Sequence, residues 1–129
     1  MNSFDLLEIE LVALDLDKLE LDCNGISDLI SIQLEEQGIQ HQRMCGLATH
    51  NRTGKRVFPH CWILLTSGHV VDVRLRKWLG EGNDIPHGVF RPTRSSMLYQ
   101  GAADPRERLS QEEIDELAGI GSEFEGIQI

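Results

Sequence analysis

Positive charge is scarce in this sequence: 12 Lys and Arg stand against 21 Asp and Glu over 129 residues, a net charge of −9. That balance argues against a phosphate-binding surface and against attraction to an anionic membrane, so neither nucleic acid nor membrane is expected as a partner. No run approaches the ~18 apolar residues that a bilayer-spanning helix needs. Met1 to Glu10 has no basic segment and carries three acids, which excludes a secretory signal. Cysteine is also sparse. Cys23, Cys45 and Cys61 are three in number and irregularly spaced, which fits a reducing compartment, the cytoplasm, better than a disulfide framework. There is no Cys-x-x-Cys or His-x-x-x-His pair, and Cys45-x4-His50 alone is a weak zinc signal, so no metal or other cofactor is expected. Internal repeats and low-complexity runs are missing too. What remains is an ordinary composition, 40% apolar and 26% charged, and one domain spanning residues 1–129.

What is present is organised around residues 58–74, where Val, Ile, Leu and Trp run on both sides of Thr66-Ser67-Gly68. This pattern predicts two strands and a tight turn. A three-residue turn with Gly68 in the left-handed position sets Leu65 opposite His69, Ile63 opposite Val71 and Cys61 opposite Val73. That face is mostly apolar and belongs on a core. The other carries His60, Trp62, Leu64, Val70, Asp72 and Arg74, with His60 and Asp72 as diagonal neighbours about 7–8 Å apart. A two-residue Ser-Gly turn would put them on opposite faces.

Before this hairpin, Phe4, Leu7, Leu11 and Leu14 predict a helix over 3–13, with Ser3 as N-cap. Residues 14–22 alternate Leu with acids, which fits either a short strand or a connector. Ile26, Leu29, Ile30 and Leu34 mark an amphipathic helix that starts at Cys23 and ends near Gly38. Strands are predicted near 39–49, 56–65 and 69–75, packed as an antiparallel sheet against the N-terminal helices: an α+β fold. Residues 77–88 hold three glycines and a proline and predict a loop, with Trp78 packed on something apolar. Val89-Phe90 and Met97-Leu98-Tyr99 read as short edge strands. Ser110-Gln111-Glu112-Glu113 is a capping box that opens a short helix, so 101–129 read as a peripheral helix and tail.

Three residues from these elements supply complementary chemistry. A thiol at a helix N-terminus, Cys23, lies at the positive end of the dipole beside free backbone N–H groups, which favour the thiolate and an oxyanion alike. His60 would take and return the proton. Asp72 on the next strand would fix the ring's tautomer. Asn24, Gly25, Trp62 and Arg74 are the expected substrate-binding residues: the first two adjoin the thiol, Trp62 would wall the cleft, and Arg74, with Arg76 and Lys77, would capture a carboxylate. Taken singly, each of the three also fits a purely structural role. Cys45 and Cys61 read as buried strand residues.

Cys23 opening a helix, the His60-x-Trp62 pair, and Gly68 four residues before Asp72 resemble the transglutaminase-like branch of the papain-like superfamily over roughly residues 20–80. The resemblance implies a papain-like, transglutaminase-like scaffold with Cys23 as nucleophile, His60 as base and Asp72 as orienting acid. It implies thiol-dependent acyl transfer on a peptide or protein substrate: a peptidase, deamidase or transglutaminase-type hydrolase or acyltransferase. The competing expectation is a non-catalytic acidic interaction or inhibitor module on the same scaffold. The sequence leaves the oligomeric state open.

Overall fold

The central hairpin closes on three residues. Leu65 N–H donates to the His69 carbonyl (2.9 Å), Gly68 N–H donates to the Leu65 carbonyl (3.0 Å), and Gly68 has φ +90°. Ile63 therefore pairs with Val71 and Leu64 with Val70, the register that keeps His60 and Asp72 on one face. In the computed structural model, which describes residues 3–19 and 21–118, this hairpin is formed by β2 (Arg56–Leu65) and β3 (Val70–Asp72).

Around it the chain adds α1 (Ser3–Leu16), α2 (Cys23–Glu36), β1 (His41–His50), α3 (Leu75–Leu79), β4 (Gly88–Phe90), a 3-10 turn (Pro92–Arg94), β5 (Met97–Ala103) and α4 (Gln111–Ala118). The five strands form one antiparallel sheet in the order β4-β3-β2-β1-β5. The class is α+β, as the sequence predicts. One face of the sheet presents Ile63, Leu65, Val71 and Val73 to Ile26, Leu29 and Ile30 of α2 and to Ile9 and Ala13 of α1. Each aliphatic side chain buried there contributes about 1.5–3 kcal/mol. On the far face a smaller cluster, Ala48, Val57, Leu75, Ile85 and Met97, gathers under the loop after α3.

α2 is specified at both ends. Asp22 caps its start by accepting the Gly25 N–H (2.8 Å). At its end Ile39 N–H reaches the Leu34 carbonyl (2.9 Å) and Gly38 N–H the Glu35 carbonyl (3.0 Å), with Gly38 at φ +71°. That is the left-handed glycine stop the sequence predicts. The capping box also forms: Glu113 N–H donates to Ser110 Oγ (3.1 Å) and Ser110 N–H to Glu113 Oε1 (2.9 Å).

Elsewhere the structure departs from the pattern. α1 runs on to Leu16; its buried positions are Ile9 and Ala13, with Leu6, Leu14 and Leu16 partly buried against the same core, whereas Leu7 and Leu11 of the expected stripe face solvent. Both stripes have helical spacing, and burial by the sheet selects one of them. The Ser3 side chain lies outside the described residues. β3 ends at Asp72 because its Oδ1 accepts the Arg74 N–H (3.1 Å), turning the chain into α3. Trp78, expected in an apolar setting, is 64% exposed there. Residues 101–118 are integral rather than peripheral. Gly101 to Ala103 finish β5, and Ile114 of α4 is fully buried in the main core. The expected tail, 119–129, falls outside the described residues. Among the described residues, no helix is long and apolar enough to cross a membrane.

Candidate active site

Cys23 is the first residue of α2 and is half-buried. The Gly25 N–H is taken by Asp22, and Ile26 N–H bonds the Asp22 carbonyl (3.0 Å). The N–H groups of Cys23 and Asn24 are left at the helix start without intrahelical acceptors. The Asp22 carboxylate, although adjacent to the thiol, is turned back into its own helix.

β2 brings His60 to the same place. It pairs regularly with β1 from His41–Leu65 through Gly46–His60, then Phe58 and Pro59 together oppose Leu47 alone. Proline has no N–H for the ladder, and the resulting bulge bends the strand where the cleft opens. His60 is wholly buried and its Nε2 bonds Asp72 Oδ2 at 2.7 Å. The same oxygen accepts the Tyr99 hydroxyl (2.7 Å), and Asp72 Oδ1 accepts Arg74 N–H. His60 Nδ1 is also buried and has no hydrogen bond of ordinary geometry among the described residues. With Nε2 committed, Nδ1 is the nitrogen left to exchange a proton.

The electrostatics couple the three groups. Burial alone would lower the His60 pKa, but the Asp72 charge and hydrogen bond, and then the Cys23 sulfur, raise it to about 10. For Cys23 the largest influence is a hydrogen bond from the Cys61 thiol, which lowers its pKa. Burial opposes this, and the His60 bond and charge lower it further, to about 5. Cys61, facing an anionic neighbour, is pushed far up and stays protonated. Its thiol also donates to Asn24 Oδ1. One S–H cannot serve both, and a charge-assisted bond to the Cys23 thiolate is the stronger of the two. The Cys61 and His60 neighbours thus favour the Cys23 thiolate, and Asp72 together with that sulfur favours the His60 imidazolium.

In front of the sulfur is a cleft of about 650 Å³, lined among others by Asn24, Arg56, Phe58, Arg74, Lys77 and Trp78. Of the larger surface hollows, this is the one lined by Cys23. Among the described residues, no group of three or more His, Cys, Asp or Glu side chains is arranged to hold a metal ion.

No family model, curated protein or solved structure matches this chain.

Cys23, His60 and Asp72 are brought together, and Asn24 lines the cleft. The other three expected substrate contacts have different roles. Gly25 is buried, and an added Cβ would meet Leu21 at 3.1 Å, so it serves helix packing rather than substrate access. Trp62 is buried behind the site, stacked on His60 (6.0 Å between centroids) and tilted on Tyr99 (4.6 Å); alternation along β2 points it away from α2. It walls the imidazole, not the cleft. Arg74 does line the cleft but is only 8% exposed, with Nη1 on Asp17 (2.6 Å) and Nη2 on the Leu19 carbonyl (2.7 Å). Arg76 turns away to the Ile85 carbonyl.

Two contributors are absent from the sequence reading. Tyr99 reaches Asp72 from β5, two strands away from β2. Asp28, fully buried in α2, binds Arg43 (2.9 Å), Arg106 (2.7 Å) and the Leu109 N–H (2.9 Å). Arg106 also donates to the Asn24 carbonyl (3.3 Å), so residues 104–110 brace the helix turn that carries Cys23. The amphipathic pattern of α2 gives no hint of this, since Asp28 sits among Ser27, Ser31 and Gln33 on what reads as a solvent-facing side.

Proposed function

We propose that this protein is a thiol-dependent acyl-transfer enzyme on a papain-like, transglutaminase-like scaffold, acting on an amide or acyl group of a peptide or protein. The observation that carries the proposal is the buried His60. One ring nitrogen is held by Asp72 at 2.7 Å, and the other is left without an ordinary partner beside a thiol at a helix N-terminus.

In this mechanism the Cys23 thiolate attacks the substrate carbonyl carbon. The carbonyl π-bond electrons move to oxygen, and the N–H groups of Cys23 and Asn24 stabilise the resulting anion. His60 Nδ1–H protonates the leaving amine as the C–N bond breaks, giving a thioester and a neutral imidazole. Water or an amine then attacks the thioester, Nδ1 takes its proton, and the thiolate departs. Asp72 holds the ring in one orientation and stabilises the imidazolium; it does not itself take the proton.

The test is labelling by iodoacetamide, resolved by residue. Cys23 is expected to react much faster than Cys45 or Cys61, with a pH midpoint well below the ~8.5 of a free thiol. Incubation with p-nitrophenyl acetate should acetylate Cys23 and leave Cys23→Ser unmodified. Equal, slow labelling of all three cysteines would sink the enzyme reading in favour of a non-catalytic module.

A further inference from the structure

The cleft before Cys23 has a composition unlike the rest of the molecule. The chain carries a net charge of −9, yet three cations line this cleft, Arg56, Arg74 and Lys77, against a single carboxylate, Asp22. That carboxylate is engaged by the Gly25 N–H. The charge of Arg74 is balanced by Asp17, but its Nε–H is buried with no partner among the described residues. Arg56 and Lys77 are exposed and take part in no ion pair among the described residues. Beside them stand two large exposed aromatics, Phe58 at 72% and Trp78 at 64%. Most of the large exposed apolar side chains are aliphatic and lie on α1 and β5; among the described residues these two rings are the exposed aromatics, and both line this cleft.

Cations in a recess with low-dielectric walls concentrate anions there, and exposed aromatic surface beside them takes up an apolar stem. We infer that the cleft selects an acyl donor carrying a carboxylate beside the reacting carbonyl, namely a peptide segment with an acidic side chain next to the bond Cys23 attacks. Arg56 and Lys77 draw in the carboxylate, and Trp78 and Phe58 cover the neighbouring methylenes. This inference rests on the thiol chemistry proposed above and adds its substrate class.

The test alkylates Cys23 with a charged and an uncharged reagent of similar size, iodoacetate and iodoacetamide. In both reactions the sulfur displaces iodide from a methylene: an S–C bond forms, the C–I bond breaks and iodide leaves with the electron pair. Rate constants at Cys23 are read by peptide mass mapping of the full chain, native and urea-unfolded. The ratio of the two rates cancels the thiolate fraction. The native iodoacetate-to-iodoacetamide ratio is expected to exceed the unfolded ratio by about tenfold. It should fall back toward the unfolded value in an Arg56→Gln/Lys77→Gln double variant and at high ionic strength.

A native ratio equal to the unfolded one overturns the inference, whatever the absolute rates. If iodoacetamide is still fast in that case, the thiol chemistry stands without this selectivity. A raised ratio with slow absolute rates supports the anion cleft and removes the activated thiol. A raised ratio that survives in the double variant overturns the assignment to Arg56 and Lys77.

Discussion

The Tyr99 hydroxyl and the His60 imidazole bond to the same oxygen, Asp72 Oδ2, each at 2.7 Å. Tyr99 therefore helps hold the carboxylate that holds the base. Tyr99→Phe should cost about 1.5–3 kcal/mol of stability, the usual range for a hydrogen bond to a charged group. It should also lower the acylation rate of Cys23 while leaving the ring stack on Trp62 in place. Urea unfolding and the p-nitrophenyl acetate reaction measure the two effects. Loss of neither would make the hydroxyl a bystander.

Asp72→Asn removes the charge that outweighs burial at His60. The ring's pKa is then expected to fall from about 10, since burial remains the largest influence acting on it and only the Cys23 sulfur still opposes it. Without an imidazolium opposite it, the Cys23 thiol should titrate at higher pH than in the wild type. Ultraviolet absorbance of the thiolate reads the midpoint directly. His60→Ala and Cys61→Ala should each raise it as well, from about 5 toward a free thiol's value, because each removes a group that lowers it.

The same shifts fix how stability varies with pH. Cys23 has a folded pKa below its ordinary 9.0, so its contribution is present above about 9 and is lost as pH falls through about 5. His60 has a folded value above its ordinary 6.5, so its contribution is present below 6.5 and is lost as pH rises through about 10. The unfolding free energy contributed by the pair should climb between pH 5 and 6.5, stay level to pH 9 where the two slopes cancel, and fall between 9 and 10. The difference between wild-type and Cys23→Ser/His60→Ala urea midpoints across that range, which removes both groups, reports it. A monotonic difference would contradict the ion pair.

Asp28→Ala removes the fully buried carboxylate shared by Arg43 and Arg106 and leaves them Asp104 as their remaining acid. Breaking a buried ion pair from one side costs about 3–5 kcal/mol, so thermal and urea unfolding should both show a large loss. Arg106→Ala should cost less stability, because Asp28 keeps Arg43 and the Leu109 N–H.

The central hairpin, both ends of α2, the capping box and the Cys23–His60–Asp72 set are legible in the sequence because each depends on local rules. Gly68 selects the turn, the turn selects the face, and the face brings His60 to Asp72. What the sequence conceals depends on strand order. Tyr99 reaches Asp72 only because β5 pairs with β1 rather than with β3, and periodicity carries no information about that choice. Trp62, expected on the cleft wall, instead walls the imidazole, because Gly101 on β5 leaves the space its ring occupies: a Cβ there would meet the indole at 2.9 Å. Cys61 read correctly as buried. Its face, however, is the one on which the first turn of α2 sits, so it became a thiol partner rather than core filler.

The brace formed by residues 104–110 has a mechanical consequence. Its bonds end on Asp28 and on the carbonyl of the residue after the nucleophile. A single backbone nick between Asp104 and Leu109 would slacken that first helical turn from behind, so limited proteolysis at this strap should silence the sulfur while leaving Arg56 and Lys77 of the cleft in place.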